Sequence, residues 1–484
     1  MFYDGQLRAV DFLLTLCYLV QFLRSEFYCP LLRGKGGIIV TNRDHFGSKI
    51  GFILAAAGSA IGLGAIWKFP YMAGTNGGSV FVILFILCTF LIGLPILLAE
   101  FVIGKKGQAD AVTSFKKLAP GKPWFLIGWA GFAFSFIILS FYSVVGGWIL
   151  SYLFRAITFS LNGSSKTYFN DLFNTVISNP WEVVVAQATF ILLTIWIVAG
   201  GIKGGIEKAS KWMMPILLIF FVVLAIRSLT LDGAIEGIKF LFVPDWSYFT
   251  WETALLALGQ AFFSLSVGVS GMVTYASYLP KETNLSTSAL SVSVLNIGIS
   301  IMAGLVIFPA VFALGFSPDA GPGLAFIIIP AVFEQIIFGQ FFLILFFILL
   351  LFATLTSSIS MLEIIVSIGI KSKYDRRKRA AWIFGFLIFL FGIPSALSFG
   401  VLSDVDVLGM SIFDFADFLT SSIGLPLGAL FISLFAGFHF SKPSLIHELR
   451  LNDILLNSWY IIVRFAAPIA ILIVFIQGAM KLLM

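Results

Sequence analysis

The stretch SAIGLGAIWKFPY, Ser59 to Tyr71, lies inside an apolar segment that is otherwise typical of a membrane-spanning helix. Gly58, Gly62 and Gly64 weaken the helix in the middle of this segment, and Pro70 follows them. Inside a bilayer, a helix can break only where its free backbone groups face a cavity or packed protein. The free carbonyl oxygens then suit a cation and the free N–H groups an anion. Glycines that only permit close helix packing would explain the same pattern, so this stretch alone leaves both interpretations open.

A second apolar segment is interrupted in the same way. It reads GQAFFSLSVGVSGMVTYASY, Gly259 to Tyr278, and serines and glycines break its middle. It is the sixth predicted span, whereas the first break lies in span 1. Two interrupted spans at matching positions of two five-helix halves are typical of a transporter whose site lies at the repeat interface.

Composition places the chain in a lipid bilayer. Of its 484 residues, 59% are hydrophobic and 11% are charged, and the mean hydropathy is +1.03. These values predict an all-α polytopic membrane protein. The net charge of +6 does not indicate a nucleic-acid partner, because the basic residues lie in short alternate loops. The three cysteines and three histidines lack metal-ligand spacing, so we expect no enzyme; a channel would need a continuous polar pore.

Eleven spans are predicted, and they divide the chain into three parts. The spans lie near 48–71, 80–104, 124–155, 181–200, 211–229, 251–278, 287–315, 338–370, 380–397, 410–437 and 456–482. We expect a transporter core at 43–440, span 11 with the C-terminus at 441–484, and an N-terminal extension at 1–42. The codons for GGIIV, Gly36 to Val40, fit a ribosome-binding site followed by a GTG start. We therefore expect the native protein to begin near Val40; a genuine interfacial helix is the alternative.

Charge predicts the orientation. Lysines and arginines concentrate in the loops after spans 2, 4 and 8, whereas the opposite loops are acidic. The positive-inside rule then places the N-terminus in the cytoplasm, in a multi-pass protein of the plasma (cytoplasmic) membrane. The outer loop Phe316–Gln335 is apolar. We expect it to fold inward as a lid, with an interfacial loop as the alternative.

Span 8 contains ATLTSSIS, Ala353 to Ser360. Its hydroxyls lie on neighbouring helix faces. In membrane helices such hydroxyls commonly donate to carbonyls of their own helix. Beside two broken helices, Thr356 and Ser357 are also candidate oxygen ligands for Na⁺.

Together, the motifs of spans 1, 6 and 8 resemble the sodium:neurotransmitter symporter family, in particular its prokaryotic amino-acid transporters of the eleven-span type. The resemblance runs from about residue 43 to residue 439. It implies two inverted five-helix repeats with broken helices 1 and 6, plus an eleventh helix. It further implies sodium-coupled symport of a neutral amino acid by alternating access. It does not indicate which amino acid is carried or the oligomeric state.

The resemblance also implies binding residues. The second sodium site would comprise the carbonyls of Gly58, Ile61 and Ala353 with the hydroxyls of Thr356 and Ser357. The first site would comprise Ala60, Ser264 and Asn296, but Ala65 replaces the family's asparagine ligand and removes one oxygen. The substrate pocket would be lined by Ala60, Gly62, Ile138, Tyr142, Phe263, Ser264, Ser266, Val269, Ser357 and Met361.

Chloride is a further candidate ligand. The implied anion site comprises Gln260, Ser264, Asn296 and Ser300, but Phe85 replaces its usual tyrosine. Two alternatives stay open: Na⁺ at both sites with Cl⁻, or Na⁺ at the second site alone without an anion. We favour the second, because losses at the first cation site and at the anion site are mutually consistent.

The gates complete the implied machinery. Lys68 and Asp417 correspond to the family's extracellular ion pair, with Tyr142 and Phe263 closing beneath them. On the inner side, Arg43, Phe46, Ser277 and Tyr278 match gate positions. Lys371 stands where the family has an acidic partner, so we expect a different inner lock. Glu100 in span 2 is expected to bind the unwound backbone of span 6.

Overall fold

A computed structural model describes residues 44–480 except positions 162, 164, 281, 319–320 and 371–373. In this part the chain folds into helices joined by turns and short loops. The N-terminal extension with its start-site hypothesis, Arg43 and Lys371 lie outside the described residues.

Within the described residues, nine helices are long and apolar enough to cross a bilayer. They are Ser79–Gly107 (span 2), Phe125–Ile157 (span 3), Pro180–Ala199 (span 4), Ile202–Leu229 (span 5), Leu285–Ala313 (span 7), Gly339–Ile370 (span 8), Arg377–Leu397 (span 9), Ile412–His439 (span 10) and Asp453–Gly478 (span 11). The predicted spans match these helices to within a few residues, except that span 5 begins at Ile202, nine residues before its predicted start at 211.

Spans 1 and 6 are both broken. Span 1 consists of Lys49–Ala60 (span 1a) and Gly64–Thr75 (span 1b), which meet at an angle of 53°. Span 6 consists of Trp251–Ser264 (span 6a) and Gly271–Ala276 (span 6b). Each half of span 6 is too short to cross a bilayer by itself, so the total of eleven spans remains a prediction.

The break in span 6 uses unusual backbone conformations. Ser266, Gly268 and Ser270 have positive φ angles of 53°, 101° and 60°. At Gly268 only glycine fits, because a β-carbon would collide with the carbonyl of Leu425 in span 10. The break is therefore held against span 10 rather than exposed to lipid.

Burial separates central from peripheral spans. In the most apolar stretch of each helix, 78% of span 3 and 72% of span 8 are buried, against 28% of span 11. Spans 3 and 8 thus form the core beside the two breaks, and span 11 lies at the edge. Shorter helices connect the spans: Ala111–Leu118, Lys166–Ser178, Ala234–Phe242, Ile328–Glu334 and Lys442–Leu449.

The outer loop after span 7 folds inward, as the sequence predicts. Phe326 from this loop is buried and packs against Trp148 and Tyr152 of span 3, with ring centroids 6.1 and 5.4 Å away. It also stacks on Phe173 at 5.4 Å. The loop therefore covers the space above the breaks.

Candidate functional site

A cavity lies where the two breaks face spans 3 and 8. Nine of the ten predicted substrate-binding residues line it: Ala60, Gly62, Ile138, Tyr142, Phe263, Ser266, Val269, Ser357 and Met361. Ser264, the tenth, is buried and donates a hydrogen bond to Asn296, and it is not part of the lining. The lining also includes Ile364 and Leu425, which the sequence analysis did not select. Ile364 lies on the same helix face as Ser357 and Met361, so helical periodicity could have predicted it. Nothing in the sequence indicated Leu425.

Glycine is required where span 1 approaches this cavity. A β-carbon on Gly62 would collide with the hydroxyls of Ser357 and Tyr142. The Tyr142 hydroxyl accepts a hydrogen bond from the N–H of Leu63 at 3.2 Å. The close approach of three elements thus leaves backbone, rather than a side chain, to face a ligand at this point.

Part of the predicted second sodium site meets between spans 1a and 8. The Ser357 hydroxyl lies 3.1 Å from the Ser59 carbonyl and 3.4 Å from the Gly58 carbonyl. Thr356 donates to the carbonyl of Ala353 at 2.9 Å. The sequence left open whether these hydroxyls satisfy their own helix, and the structure divides them: Thr356 bonds within span 8, while Ser357 reaches across to span 1.

The groups predicted for the first sodium site also lie together. The Asn296 amide donates to the carbonyls of Ala60 and Ser264 at 3.2 and 3.0 Å and accepts from the Ser264 hydroxyl at 2.9 Å. Ala65 is buried on the same segment and offers no side-chain oxygen. The amide N–H groups thus occupy acceptors that a cation would otherwise bind.

The predicted chloride ligands donate to acceptors of the protein, including one another. Gln260 donates to the carbonyl of Gly64 at 2.6 Å, and its own carbonyl oxygen is buried without a partner among the described residues. The Ser300 hydroxyl donates to the Asn296 carbonyl in its own helix at 3.0 Å. Phe85 is fully buried. The four residues therefore form no ready-made set of converging donors.

The predicted outer gate does not close as an ion pair. In the described part of the chain, no salt bridge within 4.0 Å joins Lys68 to Asp417. The Lys68 ammonium instead lies 4.3 Å from the centroid of the Phe263 ring, in cation–π geometry. Asp417 accepts from the hydroxyl of Ser421 at 2.7 Å. Phe263 and Lys68 thus cover the cavity on the side of the predicted outer gate.

At the predicted inner gate, Tyr278, which the sequence analysis named, meets two residues that it missed, Glu363 and Arg377. The Tyr278 hydroxyl donates to Glu363 at 2.6 Å. Arg377 at the start of span 9 forms a two-point salt bridge with the same carboxylate, and its Nε donates to the Val198 carbonyl at 3.0 Å. The sequence could have indicated Glu363, since a carboxylate inside an apolar span is rarely without a partner and is often functional.

Glu100 lies where the sequence predicts it. One carboxylate oxygen accepts from the N–H of Gly268 at 2.7 Å, and the other accepts from Met272 and Val273 at 3.1 and 3.3 Å. The side chain is fully buried. It therefore satisfies three backbone donors that the break in span 6 leaves free.

Two broken helices at matching positions, joined at a central uncharged cavity, define a secondary transporter. A sequence model of the sodium:neurotransmitter symporter family matches residues 43–175 and 169–483, and the chain belongs to this family.

Individual relatives support the same assignment. An uncharacterized sodium-dependent transporter of Bacillus subtilis, YhdH, is 52% identical over 434 residues, which cover 89% of this chain and 96% of YhdH. An uncharacterized sodium-dependent transporter of Haemophilus influenzae is 37% identical over 449 residues, which cover 90% of this chain and 98% of that transporter. The crystal structure of MhsT in complex with L-phenylalanine matches with a TM-score of 0.84 at 49% identity and covers 90% of this chain and 100% of MhsT. The fold class predicted from the sequence, with its inverted repeats, is thereby confirmed, as is the prokaryotic branch of the family.

Proposed function

We propose that this chain is a symporter that couples Na⁺ to the uptake of neutral amino acids with medium or large apolar side chains. One observation carries the proposal. In the described part of the chain, the cavity between the breaks is lined by apolar side chains, hydroxyls and backbone, without a carboxylate, ammonium or guanidinium group. Such a pocket suits an uncharged side chain, since a charged one would be buried without a partner.

The breaks supply the groups that a zwitterion needs. Backbone N–H groups at the start of span 1b and the Tyr142 hydroxyl suit the substrate carboxylate. Carbonyls at the ends of spans 1a and 6a suit the ammonium group. Gly62 carries no carboxylate, so an amine that lacks its own carboxylate would have no counter-ion. The L-phenylalanine named with MhsT fits the same expectation.

Sodium belongs, in this proposal, at the second site. The carbonyls of Gly58, Ile61 and Ala353 and the hydroxyls of Thr356 and Ser357 are uncharged hard oxygens, which suit a monovalent cation. The first site is weaker, because Ala65 supplies no oxygen. We therefore favour one Na⁺ per cycle and no chloride.

Two different closures of the same cavity support alternating access as the mechanism. Phe263 and Lys68 close it towards one side, and Tyr278 with Glu363 and Arg377 closes it towards the other. In the proposed orientation the N-terminus is cytoplasmic, so the Glu363 cluster faces the cytoplasm. We place the transport core at 43–440 and span 11 outside it, with no covalent chemistry at any step.

The proposal is tested by thermal-shift measurements on the purified full chain. The common amino acids are screened in Na⁺ and, separately, in K⁺. Large neutral amino acids should raise the melting temperature in Na⁺ and have little effect in K⁺. Stabilisation chiefly by aspartate or lysine would refute the pocket assignment, and equal stabilisation in K⁺ would refute coupling to Na⁺. Counterflow in proteoliposomes then separates transport from binding alone.

A further inference from the structure

Span 11 carries a guanidinium group that the transport site does not use. The Cζ of Arg464 lies 4.4 Å from the ring centroid of Phe438, 5.5 Å from that of Phe465 and 5.7 Å from that of Tyr460. Its Nε is buried without an acceptor, and no carboxylate lies within 4.0 Å of its guanidinium, among the residues that the structure describes. Charged groups in membrane spans are costly and usually have a partner.

The position of Arg464 places this charge near one face of the membrane. Its backbone packs on Gly437, two residues before span 10 ends at His439. His439 donates to the carbonyl of Leu118 at 2.8 Å, at the end of the loop helix after span 2. Helical side chains lean towards the N-terminus of their helix, here towards that same face. In the proposed topology this is the cytoplasmic face.

Two lysines flank the guanidinium. The Lys442 ammonium lies 5.4 Å from the ring centroid of Tyr460 and 2.7 Å from the Asn457 side-chain oxygen. The Lys106 ammonium lies 5.8 Å from the ring centroid of Phe440, whose carbonyl accepts from the Tyr460 hydroxyl at 3.3 Å. We call these side chains the basic–aromatic patch: Lys106, Phe438, Phe440, Lys442, Tyr460, Arg464 and Phe465.

The patch faces outward, and its basic side chains form no ion pair with any residue that the structure describes. Phe438 and Phe465 are each 53% exposed, so they present rings to lipid. Of the acidic residues between 440 and 465, Glu448 is paired with Lys105 at 2.9 Å. Asp453 lies at the start of span 11 and forms no ion pair within the described part of the chain. The patch is therefore a positive site beside the acyl chains.

We propose that the basic–aromatic patch binds the headgroup of an anionic phospholipid. A guanidinium donates two parallel hydrogen bonds to phosphate oxygens, and the lysines add charge at the same level. The exposed aromatic rings would pack along the upper acyl chains. Basic pockets between spans on the cytoplasmic side suit such headgroups. The proposal concerns the lipid-facing surface of spans 10 and 11 and is independent of the proposed substrate.

The test reconstitutes the full chain into vesicles of phosphatidylcholine alone or mixed with phosphatidylglycerol. Native mass spectrometry then counts retained lipids, and a melting curve gives the stabilisation. Wild type should retain phosphatidylglycerol and melt higher in the mixed vesicles. Arg464→Gln and Lys442→Gln should each weaken retention roughly fivefold, and the double variant should lose it. Lys116→Gln, which also removes an ammonium beside a ring, Phe125, is the control and should behave as wild type.

Three outcomes would overturn the proposal. The first is that the double variant retains as much phosphatidylglycerol as the wild type. The second is that the wild type retains phosphatidylcholine as well as phosphatidylglycerol. The third is that inorganic phosphate fully stabilises the protein in phosphatidylcholine vesicles, which would assign the patch to a free anion. If Arg464→Gln does not fold, the same measurements are made on Lys442→Gln and Arg464→Lys. Arg464→Lys retains the positive charge but cannot donate two parallel hydrogen bonds to a phosphate.

Discussion

Backbone groups at the breaks in spans 1 and 6 are satisfied by different kinds of side chain. At the span 6 break, the buried carboxylate of Glu100 accepts from three free N–H groups. At the span 1 break, the carbonyls of Ser59 and Ala60 act as acceptors. Neutral donors contact these acceptors: the hydroxyls of Ser266 and Ser357 at the Ser59 carbonyl and the amide of Asn296 at the Ala60 carbonyl.

This difference indicates which break binds the coupling ion. The Glu100 carboxylate binds its three N–H donors strongly, because hydrogen bonds to a charged acceptor are strong and the site is shielded from water. Neutral hydroxyls and amides bind carbonyls more weakly, and a cation can replace them. We therefore expect the span 6 break to be a fixed element and the span 1 break to respond to Na⁺.

The largest expected effect is at the fixed break. Glu100→Gln replaces one acceptor oxygen with an NH₂ group that faces backbone donors, so at least one N–H is left buried and unpaired. We expect the free energy of unfolding to fall by about 3 kcal/mol, measured as a loss of thermal stability of the purified protein. Glu236→Gln, at an exposed pair with Lys239, is the control and should leave the melting temperature unchanged. An unaltered melting curve for Glu100→Gln would mean that the carboxylate does not hold the break.

The next effect concerns the break that we expect to bind Na⁺. Thr356→Val with Ser357→Ala removes two of about five oxygens at nearly constant volume, which should reduce apparent Na⁺ affinity on the order of a hundredfold and abolish Na⁺-driven uptake. Ser358→Ala removes a buried hydroxyl that bonds the Leu355 carbonyl and the Thr194 hydroxyl of span 4 but is not a predicted ligand, and it serves as the control. Normal uptake by a correctly inserted double variant would remove the second sodium site from span 8.

A third prediction concerns the apolar end of the pocket between the breaks. Val269 lines the cavity, and Val269→Phe should shrink it and shift preference from phenylalanine towards smaller substrates. A change of one methylene is worth about 1–3 kcal/mol, so we expect an altered uptake ratio rather than a switch. Val269→Ile should give an intermediate ratio in the same competition assay. Unchanged ratios in both variants would place the substrate side chain elsewhere.

A smaller effect is expected from restoring the missing ligand of the first site. Ala65→Asn should raise apparent Na⁺ affinity a few-fold, or the Hill coefficient from near one towards two. This holds only if Ser264 and Asn296 turn their oxygens to a cation. Ala65→Leu has a similar shape without the oxygen and should not reproduce the gain. Equal behaviour of the two variants would show that the added oxygen is not a ligand.

The smallest expected effect is that of chloride. Because the Ser300 hydroxyl bonds within its own helix and Phe85 replaces a hydroxyl-bearing residue, uptake should be indifferent to replacing chloride by gluconate. Initial uptake rates in the two salts, at equal Na⁺, check this. Clear stimulation by chloride would restore the alternative with two sodium ions and an anion.

The sequence by itself determined where both helix breaks lie. The glycines of span 1 and the serines and glycines of span 6 located both breaks, because helix weakness and apolar length are local properties of the chain. The same motifs carried the family resemblance, and the partner of Glu100 followed from it. Nine of the residues that the resemblance implies for the substrate pocket line one cavity in the structure.

Only the tertiary structure decided how the cavity is closed. The position expected to hold the inner acid is Lys371, whereas the carboxylate that meets Tyr278 is Glu363, two turns earlier in span 8, with Arg377 from span 9 completing it. At the outer side, Lys68 lies over Phe263 rather than in an ion pair with Asp417. The physical reason is the same in both cases. A helix fixes which residues share a face, but the partner of a side chain depends on the depth and rotation at which a second helix packs against it, and nothing local in the sequence sets those.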